Sequence, residues 1–379
     1  MKVVKVRSPF ILEIPAQGST HTGSKIVLTI WNVGYSEPTV GQTGYYSLSK
    51  NNPSTTQKNT SYNVSNYVKE FITNIKPANY DLNPAIAIYA ENAFQWCIFH
   101  VIAYWYNSST SAYVSYSDNY YYGINGFANY SNGYQNPSTS KLQLLANTNI
   151  NNYYYKNTYT DRKMEYLNLL YDKLTTDTFS VKYERNDGAV YSVTTNILIS
   201  TAGTDNLKVP ITPIIFDGNF INGCKVTITM TPLSGTPIVY IFNTYPIEEC
   251  KYTPVRCSFI NRYGGWKDII FFKAQSNSIA VKGTDYKLTQ SIINYDTSIG
   301  QFKMMNINGK QTVKLNTGWV DENYSELIQD LFLSETILLD DKPATLKTQS
   351  IDFKTDLKDK NINYEIEFEY AFNLINDVV

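Results

Sequence analysis

Histidine is almost missing from this 379-residue chain, which has only His21 and His100. A Ser–His–Asp or Cys–His nucleophilic site would have to use one of the two. Cysteine is nearly as scarce: Cys97, Cys224, Cys250 and Cys257 form no CxxC pair. The spacing of Cys250 and Cys257 fits neither a zinc knuckle nor a redox motif, so the thiols are expected to be buried and reduced. Charged residues make up 17% and the net charge is −1, which excludes a global basic field for nucleic acid. No apolar run approaches the roughly 20 residues of a membrane helix. Met1–Ile14 carries Lys2, Lys5 and Arg7 but no long apolar stretch, cleavage site or lipidation cysteine. The chain is therefore expected to be made in a cytosol and to leave it only by lysis.

Nucleotide and metal motifs are missing as well. No GxGxxG opens a helix, and His21–Lys25 lacks the leading glycine of a phosphate loop. Asp340, Asp341, Asp352, Asp356 and Asp359 lack the spacing of a calcium loop. No catalytic, cofactor-binding or metal-ligating residue is nominated. His100, inside the apolar run Phe94–Tyr106, is expected to be a packed, hydrogen-bonded core histidine.

What is abundant is aromatic: 33 Tyr, 17 Phe and 5 Trp, within a hydrophobic fraction of 43% that can build a sizeable core. Tyrosine joins an apolar ring to a hydroxyl, so such chains are strand-rich, interface-rich or both. Between Asn92 and Tyr155 the only charged residues are Asp118 and Lys141, amid Tyr, Asn, Ser and Gly. That composition predicts long β-arms lying on another surface.

Strands are expected at Phe10–Ile14, Ile26–Trp31, Tyr45–Leu48, Ala85–Tyr89, Phe94–Tyr106, Val209–Phe216, Lys225–Met230 and Val239–Phe242. In the last hundred residues they fall at Thr336–Leu339, Ala344–Phe353 and Ile362–Phe372. Asn308-Gly309 predicts a hairpin turn between Phe302–Ile307 and Gln311–Leu315. The spacing of Val64, Val68, Phe71, Ile72 and Ile75 predicts a three-turn helix capped by Ser65 and stopped by Pro77. Glu322–Ser334 reads as a second amphipathic helix, and a short one is expected near Met164–Leu174. The fold class is mainly β, in two lobes: 1–200 and 201–379, parted after Ser200–Gly203.

From Asp321 onward 14 acidic residues face 5 lysines, a net of −9 that leaves +8 for the rest. Sign asymmetry of this kind suggests head-to-tail stacking of opposite surfaces. In the last strand Ile362, Tyr364, Ile366 and Phe368 alternate with Asn363, Glu365, Glu367 and Glu369. One face is core, and the three glutamates repel one another on the other.

Several segments occur together in order: Ser8–Ile14, Ile30-Trp31-Asn32, Tyr46–Lys50, Val64–Ile72, Phe259–Trp266 and Leu333-Ser334-Glu335 through Pro343 to the alternating strand. The series resembles structural tail proteins of phages and prophages of Bacteroidota, including crAss-like phages, over nearly the whole chain. The resemblance implies a non-catalytic virion subunit, assembled in the host cytoplasm as a ring or hub around the DNA exit path. It also implies β-sandwich or tail-tube-like barrel domains with one amphipathic helix in each lobe, a tube-like domain over about 285–379 and an inserted arm over about 104–159. Glu365, Glu367 and Glu369 would line the lumen. Tyr120, Tyr121, Tyr122, Tyr153, Tyr154, Tyr155, Arg262 and Trp266 are candidates for subunit contact. Partners would be other tail proteins and further copies of the chain, with DNA passing without specific binding. The alternatives are a glycan-binding module, whose exposed rings would stack on sugars, and a glycosidase, whose paired carboxylates carry no readable local signature.

Overall fold

Strands dominate the computed structural model, so the chain is mainly β. The structure describes residues 2–32, 35–76, 86–88, 95–134, 137, 142–144, 147, 152–156, 167–171, 178–196, 211–216, 223–231, 236–247, 251–289, 293–353 and 361–376. It divides into two compact units. The first comprises Met1–Pro246, Phe259–Asp268 and Glu326–Ser334; the second comprises Ile247–Ser258, Ile269–Ser325 and Glu335–Val379. The boundary expected after Ser200–Gly203 lies outside the described residues. No helix among these residues is long and apolar enough to cross a membrane.

A five-stranded sheet organises the first unit, in the order β1 (Val3–Lys5), β8 (Ala112–Ile124), β7 (Trp96–Asn107), β3 (His21–Trp31) and β4 (Tyr45–Asn51). β1 is parallel to its neighbour and the rest are antiparallel. Alternate residues Ile26, Leu28 and Ile30 of β3, Phe99, Val101 and Ala103 of β7, and Tyr121 of β8 fill one face. The period of two follows from the pleat. A ribbon of β2 (Ile11–Ile14) with β5 (Thr60–Asn63), followed by helix α1 (Ser65–Lys69), covers that face through Phe10, Ile14, Tyr62, Val64 and Val68. On the opposite face Trp96, Ile98, Tyr122 and Ile124 pack with Val3.

Helix α1 has five residues, not three turns, and Ser65 does not cap it. The Ser65 hydroxyl instead donates to the Ser8 carbonyl (2.8 Å) and accepts from the Phe10 amide (2.7 Å), tying the helix start to the chain entering β2. Ile75, expected on the helix stripe, is exposed.

A second sheet runs β10 (Asn152–Lys156), β16 (Ile238–Ile247), β15 (Cys224–Thr231), β12 (Thr178–Arg185) and β13 (Val190–Asn196). A third runs β6 (Ile86–Ile88), β14 (Ile211–Phe216), β11 (Leu167–Tyr171) and β9 (Leu142–Leu144). The helix expected near Met164–Leu174 is thereby corrected: its described part is β11, hydrogen-bonded to β14 on one side and β9 on the other. A short leucine-rich run fits either period, and pairing decides it.

A seven-stranded sheet lies mostly in the second unit. Its order is β18 (Trp266–Phe271), β17 (Val255–Ile260), β21 (Ile337–Leu339), β22 (Lys342–Leu346), β23 (Asn361–Tyr370), β20 (Phe302–Asp321) and β19 (Ser276–Lys287). Helix α2 (Tyr324–Phe332) buries Tyr324, Leu327, Ile328 and Leu331 at helical spacing. The hairpin turn predicted at Asn308-Gly309 is also corrected, because both residues sit inside the 20-residue strand β20, opposite Lys282 and Val281 of β19. Their role is to dock the C-terminal segment. The Asn308 amide donates to the Ile375 carbonyl (3.0 Å) and accepts from its N–H (3.1 Å), while the Leu374 N–H donates to the Gly309 carbonyl (2.8 Å). The ladder breaks by a bulge between Lys282 and Thr284, opposite Asn306 at φ 52°.

Phe99 is fully buried, stacked on Tyr121 at 5.1 Å and edge-on to Phe10 at 6.3 Å. Phe99→Ala is expected to lower unfolding free energy by about 3–5 kcal/mol in denaturant titration.

Candidate functional site

Register across β3, β7 and β8 places Thr29 opposite His100 and His100 opposite Tyr120. This row lies on the face turned away from the main core, with Asp118 two residues along β8. The loop after β3 brings Glu37 over it. His100 Nδ1 is 2.6 Å from Glu37 Oε1, and Nε2 is 2.6 Å from Asp118 Oδ1. The Thr29 hydroxyl donates to Glu37 Oε1 (2.7 Å) and the Tyr120 hydroxyl to Oε2 (3.4 Å). Tyr120 stacks on the imidazole at 3.9 Å with an 8° interplanar angle. Burial, and then the Glu37 and Asp118 carboxylates, hold its phenol above the usual range, so it stays a donor. The expectation that His100 is a hydrogen-bonded, packed histidine agrees with this geometry. An imidazolium donates to both carboxylates and a neutral ring to one.

Beside this row opens a cleft of about 720 Å³, lined by Trp31, Asn32, Tyr35, Glu37, Gln42 and Phe71 among others. Trp31 meets Tyr120 edge-on at 6.4 Å. Gln42 Oε1 accepts from the Thr39 N–H (2.7 Å) and hydroxyl (3.1 Å), which fixes the loop. Asn32 Oδ1 is shielded from solvent and has no hydrogen-bond donor among the described residues. Glu37, Tyr35 and Gln42 escaped sequence reasoning, since a carboxylate in a loop gives no local signal of the strand row it will cover.

The residues nominated from the sequence are scattered. Tyr120 belongs to the His100 row, whereas Tyr121 and Tyr122 are core side chains, 7% and 3% exposed. Their rings face opposite sides of the sheet and are not available as surface. Tyr154 lies 5.7 Å from Tyr245; the side chains of Tyr153 and Tyr155 fall outside the described ones. Within the stretch Tyr104–Tyr159, β8 pairs with β7 as a hairpin of the five-stranded sheet; Ala112–Tyr116, Asp118 and Tyr120 are exposed, while Tyr121–Ile124 are buried. Trp266 is 1% exposed, a core residue rather than a contact.

Arg262 is likewise engaged within the chain. Its Nε donates to Asp330 Oδ1 at 2.5 Å, and Asp330 is almost fully buried. The turn around it is made by Asn261, whose Oδ1 accepts from the Tyr263 (2.9 Å) and Gly265 (3.0 Å) amides, with Gly264 at φ 84°. Glu365, Glu367 and Glu369 sit on the solvent side of β23, and each meets a lysine: Lys314 (2.9 Å), Lys347 (2.8 Å) and Lys310 (3.1 Å). The repulsion read from the sequence is offset across the strands, and the face is charge-mixed rather than acidic.

The least covered feature is the ribbon of β19 with the first part of β20. All twelve residues of β19 are exposed, as are Phe302–Asn306 of β20. Ile279 (61%), Val281 (59%), Phe302 (65%) and Met304 (50%) present apolar side chains to solvent. By strand rise it spans about 40 Å.

No protein-family model and no curated protein sequence matches this chain. No group of three or more His, Cys, Asp or Glu among the described residues could hold a metal ion. Cys97 and Cys224 are buried free thiols and Cys257 is buried as well; burial pushes the Cys97 thiol well up and Cys224 to about 11. Cys250 lies outside the described residues.

Two outcomes follow from these contacts. Arg262→Ala strands the buried Asp330 carboxylate and is expected to cost about 3–5 kcal/mol in a denaturation experiment; an unchanged midpoint would release Arg262 for a role outside the chain. His21 accepts the Gln17 N–H at Nδ1 (3.1 Å) and is fully buried, and burial lowers its pKa below 6.5. Below that pH the unfolded chain takes up a proton that the folded one resists, so stability falls as pH drops from about 7 to 5. A His21→Asn variant should lose this part of the slope in melts recorded across the range.

Proposed function

We propose that this chain is a non-enzymatic structural subunit of a phage tail, of the hub, ring or baseplate type, forming a symmetric oligomer around the DNA exit path. The β19–β20 ribbon is the observation that carries the reading. A two-stranded hairpin is marginal in water, and apolar residues exposed on this scale mark a surface meant to be covered. Among the described residues β19 is an edge strand, and its outer edge offers backbone groups along Ser276–Lys287 to an incoming strand. Further copies of the chain and other tail proteins are the proposed cover, with assembly in the host cytoplasm and residence in the virion. The ordered segments from Ser8–Ile14 to the alternating terminal strand support the same reading.

The lumen assignment of Glu365, Glu367 and Glu369 takes a modified form. With Lys310, Lys314 and Lys347 interleaved, the wall would be close to neutral, and it would neither grip phosphates nor strongly repel them.

The test has two parts. Mass photometry of the purified chain over a range of concentrations is expected to give a discrete oligomer, which Ile279→Asp with Phe302→Asp disperses while the melting temperature moves by no more than about 3 °C. A monomer at all concentrations, with the double variant indistinguishable, would remove the self-assembly part. Immunogold labelling of particles released by lysis should decorate tails; label confined to heads or free protein would overturn the virion assignment.

A further inference from the structure

The cleft beside the Thr29–His100–Tyr120 row combines aromatic rings with a carboxylate oxygen that is little used, and we infer that it binds a neutral saccharide. This goes beyond a structural role in the tail and does not depend on it. The volume of about 720 Å³ lies in the range of small-molecule sites. Three rings border it: Trp31, Tyr35 and Phe71. Tyr35 is 69% exposed, a large ring held at the mouth of a cleft rather than in a core. Flat rings of this kind suit the C–H face of a sugar, which is apolar on one side and hydroxylated at its rim.

The polar groups select among ligands. Glu37 brings negative charge to the wall, which disfavours phosphate, sulfate and carboxylate ligands. An ammonium or guanidinium would need a carboxylate free to pair with it. Glu37 Oε1 is already taken by Thr29 and His100, and Oε2 receives only the long 3.4 Å bond from Tyr120. What remains is acceptor capacity for a single hydroxyl donor, at Glu37 Oε2. Gln42 uses its carbonyl oxygen on Thr39, which leaves its amide N–H groups as donors. An acceptor, a donor and the rings of Trp31, Tyr35 and Phe71 around one cleft are the recognition set of a neutral, hydroxyl-rich ring.

Preorganisation adds to this. Glu37 is held by contacts to three strands, so little order has to be gained at that side chain on binding.

The experiment is a glycan array probed with the full-length chain, followed by calorimetry on the best neutral glycan with wild type, Tyr35→Ala, Tyr35→Phe and Tyr130→Ala. Tyr35→Ala should weaken binding about ten-fold or more, while Tyr35→Phe, which keeps the ring, stays close to wild type. Tyr130, fully exposed and outside this cleft, serves as control and its loss should change nothing. Retention of sulfated or sialylated glycans alone would overturn the charge argument. Binding lost in Tyr130→Ala but kept in Tyr35→Ala would move the site elsewhere. No neutral glycan bound at about 1 mM, or preferential capture of lysine-rich peptides, would overturn the proposal. The oligomer measured by mass photometry is unaffected by any of these results, so the two readings fail separately.

Discussion

Burial of β7 on both faces is the constraint on which the first unit depends. From Trp96 to Val101 every side chain lies in the interior, alternately toward Phe10 and Tyr121 on one side and toward Trp31 and Tyr122 on the other. A strand placed so has no water for its backbone, so it must be hydrogen-bonded along both edges. β3 and β8 supply those ladders over almost its whole length. The register this fixes is strict, since a slip of one residue would turn Phe99 and Val101 away from Phe10 and Tyr121 and set His100 among those rings. The polar row of Thr29, His100 and Tyr120 is thus a consequence of apolar packing on the other face. Glu37 and Asp118 complete a set of partners that an imidazole at that depth requires.

The second unit solves a different problem. β20 is one strand of 20 residues with two environments along it. Its last part, through Val313, Leu315 and Val320, is buried against β23, while its beginning stands in solvent with β19 as the one neighbour in the ladder. Asn308 and Gly309 lie between the two. The Asn308 side chain bonds both backbone groups of Ile375, which extends the line of β23 pairing by a further step. Gly309 permits close packing there, because an added Cβ would come within 3.2 Å of Ile279.

The β-rich class, the terminal strand, the α2 stripe and the buried state of His100 were legible, because each rests on a local period or on the apolarity of neighbours. Failures came where two local readings compete and a distant segment decides. Asn308-Gly309 has hairpin chemistry, but β19 offers pairing on both sides of it, and the C-terminal segment takes up the asparagine amide. Leu167–Tyr171 fits a helix or a strand, and β9 and β14 select the strand. Tyr121 and Tyr122 looked like surface tyrosines because of the polar residues around them, although sheet position buries one on each face. Of the candidate cleft Ile30, Trp31, Asn32 and Phe71 drew attention from the sequence, none of them as the wall of a cleft. Glu37, Tyr35 and Gln42 become a wall only once the loop is laid over β7, and no spacing within the loop announces that.

Charge shows the same dependence on topology. Along the chain the acidic block after Asp321 and the basic excess before it read as two surfaces of opposite sign. In the folded chain the antiparallel pairing of β20 with β23 brings Lys310 and Lys314, from the basic side, onto Glu369 and Glu365, and β22 leads Lys347 to Glu367. Exposed pairs of this kind contribute little stability each, since solvent screens them. Their greater effect is on register, because a shifted β23 would set like charges side by side or leave glutamates without partners. Part of the sign asymmetry of the sequence is therefore taken up inside one sheet, where Lys310 and Lys314 meet Glu369 and Glu365 and help specify strand pairing. The β19–β20 ribbon itself presents apolar side chains together with the charges of Lys282, Asp285, Lys287 and Lys303.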